Sequence, residues 1–116
     1  MFDSQHIKAE ADKGVLVVTV KTEKIAEYEA TIIQSEIGNL ARGLGWKVAI
    51  DFTQVQMVAS VGLGMLVSLN RTAKTNKGKL VLFKMSEPIR QVLKVTRLDT
   101  GLAIVADRPA AVAACG

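Results

Sequence analysis

The sequence predicts an α/β fold: one domain over residues 1–116, with a mixed, mostly parallel sheet, an opening hairpin and about four helices. Three observations predict it. Short aliphatic, β-branched runs recur along the chain. Stretches with apolar residues at three- and four-residue spacing separate them, and the alternation of the two signals after the first hairpin is the mark of a parallel sheet. The length of 116 residues and a composition that is 49% hydrophobic and 22% charged suit a single domain with its own core and exclude a disordered chain.

The elements follow in order. Residues 6–11 alternate weakly, as a half-exposed strand does, and Asp12, Lys13 and Gly14 make a turn signal. Residues 15–20, Val-Leu-Val-Val-Thr-Val, are a buried strand and complete a hairpin. Residues 21–26 read as a polar connector. Over 28–44, Ile33, Ile37, Leu40, Ala41 and Leu44 recur at helical spacing, and Gly43 and Gly45 mark the stop. Residues 46–52 form the next strand, with Trp46 at a sheet edge, and 53–59 read as a loop. A helix over 61–76 follows Ser60 and ends at Asn76, Lys77 and Gly78. Residues 79–85 are a strand. Ser86, with Pro88 in the first turn, opens a helix carrying Ile89, Val92 and Leu93. Residues 102–105 are a last short strand, and Asp107 caps a small Ala-rich helix.

Composition also narrows function. One cysteine, Cys115, and one histidine, His6, leave no disulfide, no Cys cluster for zinc and no multi-His metal site, so no metal and no cofactor are expected. Cys115, next to the last residue, is expected to be an exposed, inert thiol. The first residues lack a basic end followed by an apolar stretch, and the uncharged residues 55–70 include Gln56, Ser60, Gly62 and Gly64, which does not suit a membrane span. A soluble cytoplasmic protein is expected. The net charge is +4, but unevenly placed: residues 1–60 carry 6 basic and 8 acidic groups, residues 61–116 carry 9 and 3. The basic residues are dispersed and lack aromatic platforms for bases, so nucleic acid is not the expected partner.

The informative stretch surrounds Ser60. At 100° per residue, Val61, Met65, Leu66, Leu69 and Ala73 share an arc that should face the sheet. Asn70, Arg71 and Lys74 lie opposite, joined by Leu63 and Val67 as an apolar step on a polar face. That step is either a partner surface or a patch covered by a neighbouring loop. Gly62 and Gly64 each weaken a helix by ~1 kcal/mol relative to Ala, which points to close backbone approach. Ser60 stands where an N-cap should, accepting from the Leu63 amide. A hydroxyl there can also carry a phosphate, which free amides and the helix dipole favour.

Residues 49–66, Ala-Ile-Asp-Phe-Thr-Gln-Val-Gln-Met-Val-Ala-Ser-Val-Gly-Leu-Gly-Met-Leu, resemble the signature of STAS domains, and more narrowly of the bacterial anti-sigma factor antagonists. In that pattern a strand ends in Asp and Ser/Thr, a hydrophobic loop follows, and Asp-Ser-x-Gly-Leu-Gly opens a helix. The resemblance continues through residues 78–83, 89–93, 96–99 and Ile104, and covers roughly 46–114; residues 21–27 match poorly. It implies a protein that binds a serine-kinase-type anti-sigma factor and so frees a sigma factor. Phosphorylation by that kinase at the position matching Ser60 would switch it off, and a phosphatase would restore it. Asp51, Thr53, Gly62, Leu63 and Gly64 match further signature positions. Ala59 departs from the pattern, standing where the family commonly has Asp, which removes an acceptor and a negative charge beside the hydroxyl. The expected contact face comprises Ser60, Gly62, Leu63, Gly64, Val67, Asn70, Arg71 and Lys74, with Asp51, Thr53 and Ala59 supporting it. ATP would belong to the partner, and the chain would be a monomer or weak homodimer. The competing reading is a STAS scaffold in a signalling assembly, not phosphorylated. An enzyme is not expected: Ser60 lacks the nucleophile elbow, the only histidine is His6, and Gly62-Leu63-Gly64 lacks the Lys-Ser/Thr of a phosphate loop.

Overall fold

A computed structural model describes residues 2–116. Eight strands and four helices follow in order: β1 (Phe2–Asp3), β2 (Ile7–Asp12), β3 (Val15–Val20), β4 (Lys24–Ile25), α1 (Glu27–Ala41), β5 (Lys47–Asp51), β6 (Met57–Val58), α2 (Ser60–Thr75), β7 (Lys79–Phe83), α3 (Glu87–Val95), β8 (Ala103–Val105) and α4 (Arg108–Cys115). The main sheet runs β1-β2-β3-β5-β7-β8. Its first two pairings are antiparallel, and β3, β5, β7 and β8 pair parallel, as the hairpin followed by alternating helices requires.

Strand alternation splits the core in two. Leu16, Val18, Ile50, Leu80 and Leu82 face α1, α2 and α3, whose Ile33, Ile37, Leu66, Leu69, Ile89 and Leu93 meet them. Val15, Val17, Ala49, Val81 and Phe83 point the other way and are covered by Ala111, Val112 and Cys115 of α4. Strands buried on both faces read as continuous apolar runs, which is why β3, β5 and β7 were visible in the sequence.

Several expectations are corrected. Residues 21–26 and 53–59 are not merely connector and loop: Lys24–Ile25 pairs parallel with Met57–Val58 as a second, two-stranded sheet. Phe2–Asp3 adds a strand before the hairpin. Two-residue strands are too short to show alternation. Trp46 precedes its strand rather than starting it, in a left-handed conformation (φ 59°), and is buried instead of lying at an edge. It is held there because its amide donates to the Ala41 carbonyl at 3.0 Å and its carbonyl accepts from Lys79 at 2.9 Å. Gly78 is required beside it, since a Cβ would lie 2.1 Å from that carbonyl oxygen. Cys115 is buried, not exposed: α4 folds back over the sheet and sets its Sγ 3.5 Å from the Val48 carbonyl, and burial pushes the thiol pKa up. Ser86 holds the N-cap position of α3 but makes no capping bond, and its Oγ is buried without a protein partner. Asp107 caps α4 as expected, accepting from the Ala110 amide at 3.0 Å.

Candidate functional site

The site is built at the carboxyl end of the central strand β5. Asp51 closes the strand and accepts hydrogen bonds from both the Thr53 amide (2.8 Å) and the Thr53 hydroxyl, which turns the chain off the sheet. The segment beyond is pinned residue by residue. The Phe52 amide donates to Phe83 at 3.0 Å, Val55 to Phe52 at 3.0 Å, and Gln56 and Met57 both to Glu23, at 2.7 and 3.1 Å. Finally the Ala59 amide donates to the Ile25 carbonyl at 3.0 Å. Ser60 is therefore delivered to the helix start by a loop with little freedom of its own.

That last bond moves the cap. Ala59, not Ser60, is the N-cap of α2: it is held extended (φ −76°, ψ 170°) by β4, and its carbonyl accepts from the Leu63 amide at 3.0 Å. Alanine has no side-chain acceptor, so the first turn carries no side-chain cap. Ser60 becomes the first helical residue, exposed, with its hydroxyl free of a capping role.

The faces of α2 also need correction. Met65, Leu66, Leu69 and Ala73 are buried toward the sheet as expected, but Val61 is 49% exposed. The first turn of α2 rests on the β4–β6 pair and not on the main sheet, so the buried arc begins elsewhere. Gly62 makes that contact: a Cβ there would lie 2.7 Å from the Ile25 carbonyl oxygen and 2.7 Å from Val58 Cγ1. Leu63 is only 8% exposed, because Met57, Val58 and α3 cover it, so the covered-patch reading holds for this residue. Val67 is half-buried. Gly64 is exposed, and a Cβ there would meet nothing within 4 Å.

Ser60, Leu63, Gly64, Val67, Ser68 and Arg71 line one side of an open depression whose other side is Thr96 and Leu98. Lys74 is exposed one turn beyond Arg71. Asn70 is half-buried, and its amide donates to the Gly101 carbonyl at 2.8 Å, fastening α2 to the turn after α3. Of the expected contact residues, the structure thus brings Ser60, Gly64, Val67 and Arg71 together on an accessible face. It assigns Gly62 to packing and Asn70 to a tether within the chain. The role of α3 and the 96–98 turn as the opposite wall was missed, because no local pattern marks which helix will lie beside which.

His6 meets the ring of Tyr28 edge-on, with centroids 5.8 Å apart, at a bend before β2. Among the described residues no three His, Cys, Asp or Glu side chains are grouped to hold a metal, and no helix is long and apolar enough to cross a membrane.

A sheet packed by helices, with an accessible hydroxyl at a helix start beside a shallow groove, defines a small α/β domain. The STAS domain family model matches residues 6–110, and the chain belongs to that family. Its fold is similar to that of an anti-sigma factor antagonist (STAS) domain protein from Planctomyces limnophilus, at 24% identity and a TM-score of 0.85, over 95% of this chain and 97% of that one. It is also similar to an anti-sigma factor antagonist from Mycobacterium paratuberculosis, at 22% identity and a TM-score of 0.81, over 94% and 92% of the two chains. The Bacillus cell fate determinant SpoIIAA in its phosphorylated form matches at 15% identity and a TM-score of 0.68, over 88% and 91%.

Proposed function

We propose that this STAS domain is an anti-sigma factor antagonist: it binds a serine-kinase-type anti-sigma factor over the first half of α2, and phosphorylation of Ser60 releases it. The observation that carries the reading is the exposed Ser60 hydroxyl at the first position of α2, on the same accessible face as Gly64, Val67 and Arg71. The Bacillus relative in the same fold has a phosphorylated form, which supports a phosphate-bearing role. The kinase brings its own ATP, and a phosphatase resets the switch. The protein works in the cytoplasm as a monomer or weak homodimer and regulates transcription through its partner, without touching nucleic acid.

The physics suits a switch that does not refold the protein. A phosphate adds about −1.5 to −2 charges. At a helix N-terminus it gains roughly 0.3–1 kcal/mol from the dipole, so the fold tolerates it. In a desolvated contact it disfavours binding; a penalty of ~2–4 kcal/mol lowers affinity roughly 30- to 700-fold. Asp51 and Thr53 act through the loop they shape rather than by contact.

The test uses wild type and Ser60→Asp as paired baits in native lysate. Wild type should capture a protein with an ATP-binding kinase fold and Ser60→Asp should not. Purified with ATP, that protein should add one phosphoryl group to wild type and none to Ser60→Ala. Equal capture by both baits, with no phosphoryl transfer, would instead establish the scaffold reading.

A further inference from the structure

The two faces of the main sheet are closed unequally. On one side α1, α2 and α3 bury large side chains, among them Ile33, Ile37, Leu66, Leu69, Ile89 and Leu93. On the other side α4 is the cover, and it meets Val15, Val17, Ala49, Val81 and Phe83 with Ala111, Val112 and Cys115. Those three side chains are short, so α4 brings much less apolar surface to its contact than any of the other helices. The sheet itself separates the two cores, and no buried residue of α4 belongs to the larger one. The packing of α1, α2 and α3 does not depend on α4 being in place.

Among the described residues, the side-chain bonds that attach α4 to the rest of the domain lie at its two ends. At the start Arg108 donates to Asp12 Oδ2 at 3.2 Å and to Glu10 Oε1 at 3.1 Å, both on β2. This clamp is open to water, with 37% of the Arg108 side chain and 53% of the Glu10 side chain exposed. At the other end Cys115 Sγ lies 3.5 Å from the Val48 carbonyl and 3.7 Å from the Lys79 carbonyl, and a thiol is a weak donor. The Asp107 cap bonds within α4, to the Ala110 amide, and so shapes the helix without attaching it. The chain enters α4 from β8 through Ala106 and Asp107, both exposed.

We infer that α4 is a strap: it leaves the sheet as a unit while the α1–α3 side stays folded, and the Arg108 clamp on Glu10 and Asp12 sets how often. Eight residues are too few to hold a helix in water by themselves, so leaving the sheet and unwinding go together. The open state uncovers Phe83 and four smaller apolar side chains, which keeps it a minority population. The face it uncovers is on the other side of the sheet from α2. The strap therefore works apart from the surface around Ser60 and gives the domain a second face that opens intermittently.

Cys115 is the one cysteine of the chain, so a small neutral thiol reagent, methyl methanethiosulfonate, reads the opening at a single site. In the closed state the thiol is buried and its pKa is pushed up by that burial, which withholds the reactive thiolate. Labelling of the whole chain is timed by mass spectrometry at urea concentrations below the unfolding transition, beside a global unfolding curve. Wild type should label faster than global unfolding permits, at a rate that rises only weakly with urea. Arg108→Ala should raise that rate about 2- to 10-fold. Arg108→Lys keeps one charge but not the fork across two carboxylates, and should raise it by less. A rate that climbs with the full urea slope of global unfolding would mean that α4 opens only with the whole domain, and would overturn the proposal. A weakly urea-dependent rate that Arg108→Ala leaves unchanged would overturn it equally, because fraying of the last turn, about two turns from the clamp, would then account for the labelling.

Discussion

Replacing Gly64 by alanine should stabilise the isolated protein, and replacing Gly62, two residues earlier in the same helix, should destabilise it. Both substitutions gain helix propensity, roughly 0.5–1 kcal/mol, by restricting the unfolded chain. At Gly64 nothing opposes that gain, since a Cβ would meet nothing within 4 Å. At Gly62 the Cβ would lie 2.7 Å from the Ile25 carbonyl oxygen, which is backbone and already accepts from the Ala59 amide at 3.0 Å. Relieving the clash means shifting β4 or giving up that bond. Overpacking strain of ~1–3 kcal/mol and a lost hydrogen bond of ~1 kcal/mol outweigh the propensity gain by about 1–3 kcal/mol. For a domain of this size ~1 kcal/mol moves Tm by about 3–5 °C. Thermal and urea unfolding of the three proteins side by side measure both signs. A Gly62→Ala protein as stable as wild type would refute the account of how α2 is seated on the β4–β6 pair. A less stable Gly64→Ala protein would show a packing demand on that residue within the chain. The predicted gain, combined with weaker capture of the partner, would mean that the missing side chain serves recognition and not folding.

Two further outcomes follow from the helix starts. Ala59→Asp supplies the side-chain acceptor that α2 lacks and should raise unfolding stability by about 0.5–2 kcal/mol, read as a higher urea midpoint at unchanged slope; no gain would mean that the pinned Ala59 geometry cannot present a cap. At α1, the Glu29 carboxylate accepts from the Ala26 amide at 3.0 Å, and this bond holds its pKa below the ordinary carboxylate value. A lowered folded-state pKa means that the unfolded chain binds more protons. The contribution is therefore present above the unfolded value and lost as pH falls through the folded one. Glu29→Ala should be less stable than wild type at neutral pH, and the two curves should converge on acidification; a constant gap across pH would refute it.

The layers were legible because the physics that builds them is local. A strand buried on both faces must be apolar throughout, so β3, β5 and β7 stand out, and Ile33 and Ile37 announce α1 by spacing alone. What was not legible depended on partners distant in sequence. Lys24–Ile25 becomes a strand only because Met57–Val58 comes to lie beside it, and that pairing seats Ala59 as the cap and displaces Ser60 into the helix. Leu63 was correctly read as apolar in an unusual place, but its cover comes from α3, and no helical wheel of α2 contains α3. Cys115 was misjudged for the same reason: closeness to the chain end says nothing of where α4 packs.

Ala59 at first weakens the case for a phosphate at Ser60, since the family commonly has an acid there. The position of Ala59 as the N-cap of α2 sets a second effect against that one. An aspartate at the N-cap would compete for the first-turn amides and set a carboxylate beside the phosphate. Alanine does neither, so the first turn of α2 carries no acidic side chain and no side-chain cap. Under the proposed switch, alanine at 59 eases accommodation of a phosphate at Ser60. The loss is a helix cap of about 0.5–2 kcal/mol, which the hydrogen-bonded approach from Asp51 to Ala59 offsets by fixing the chain before the helix begins.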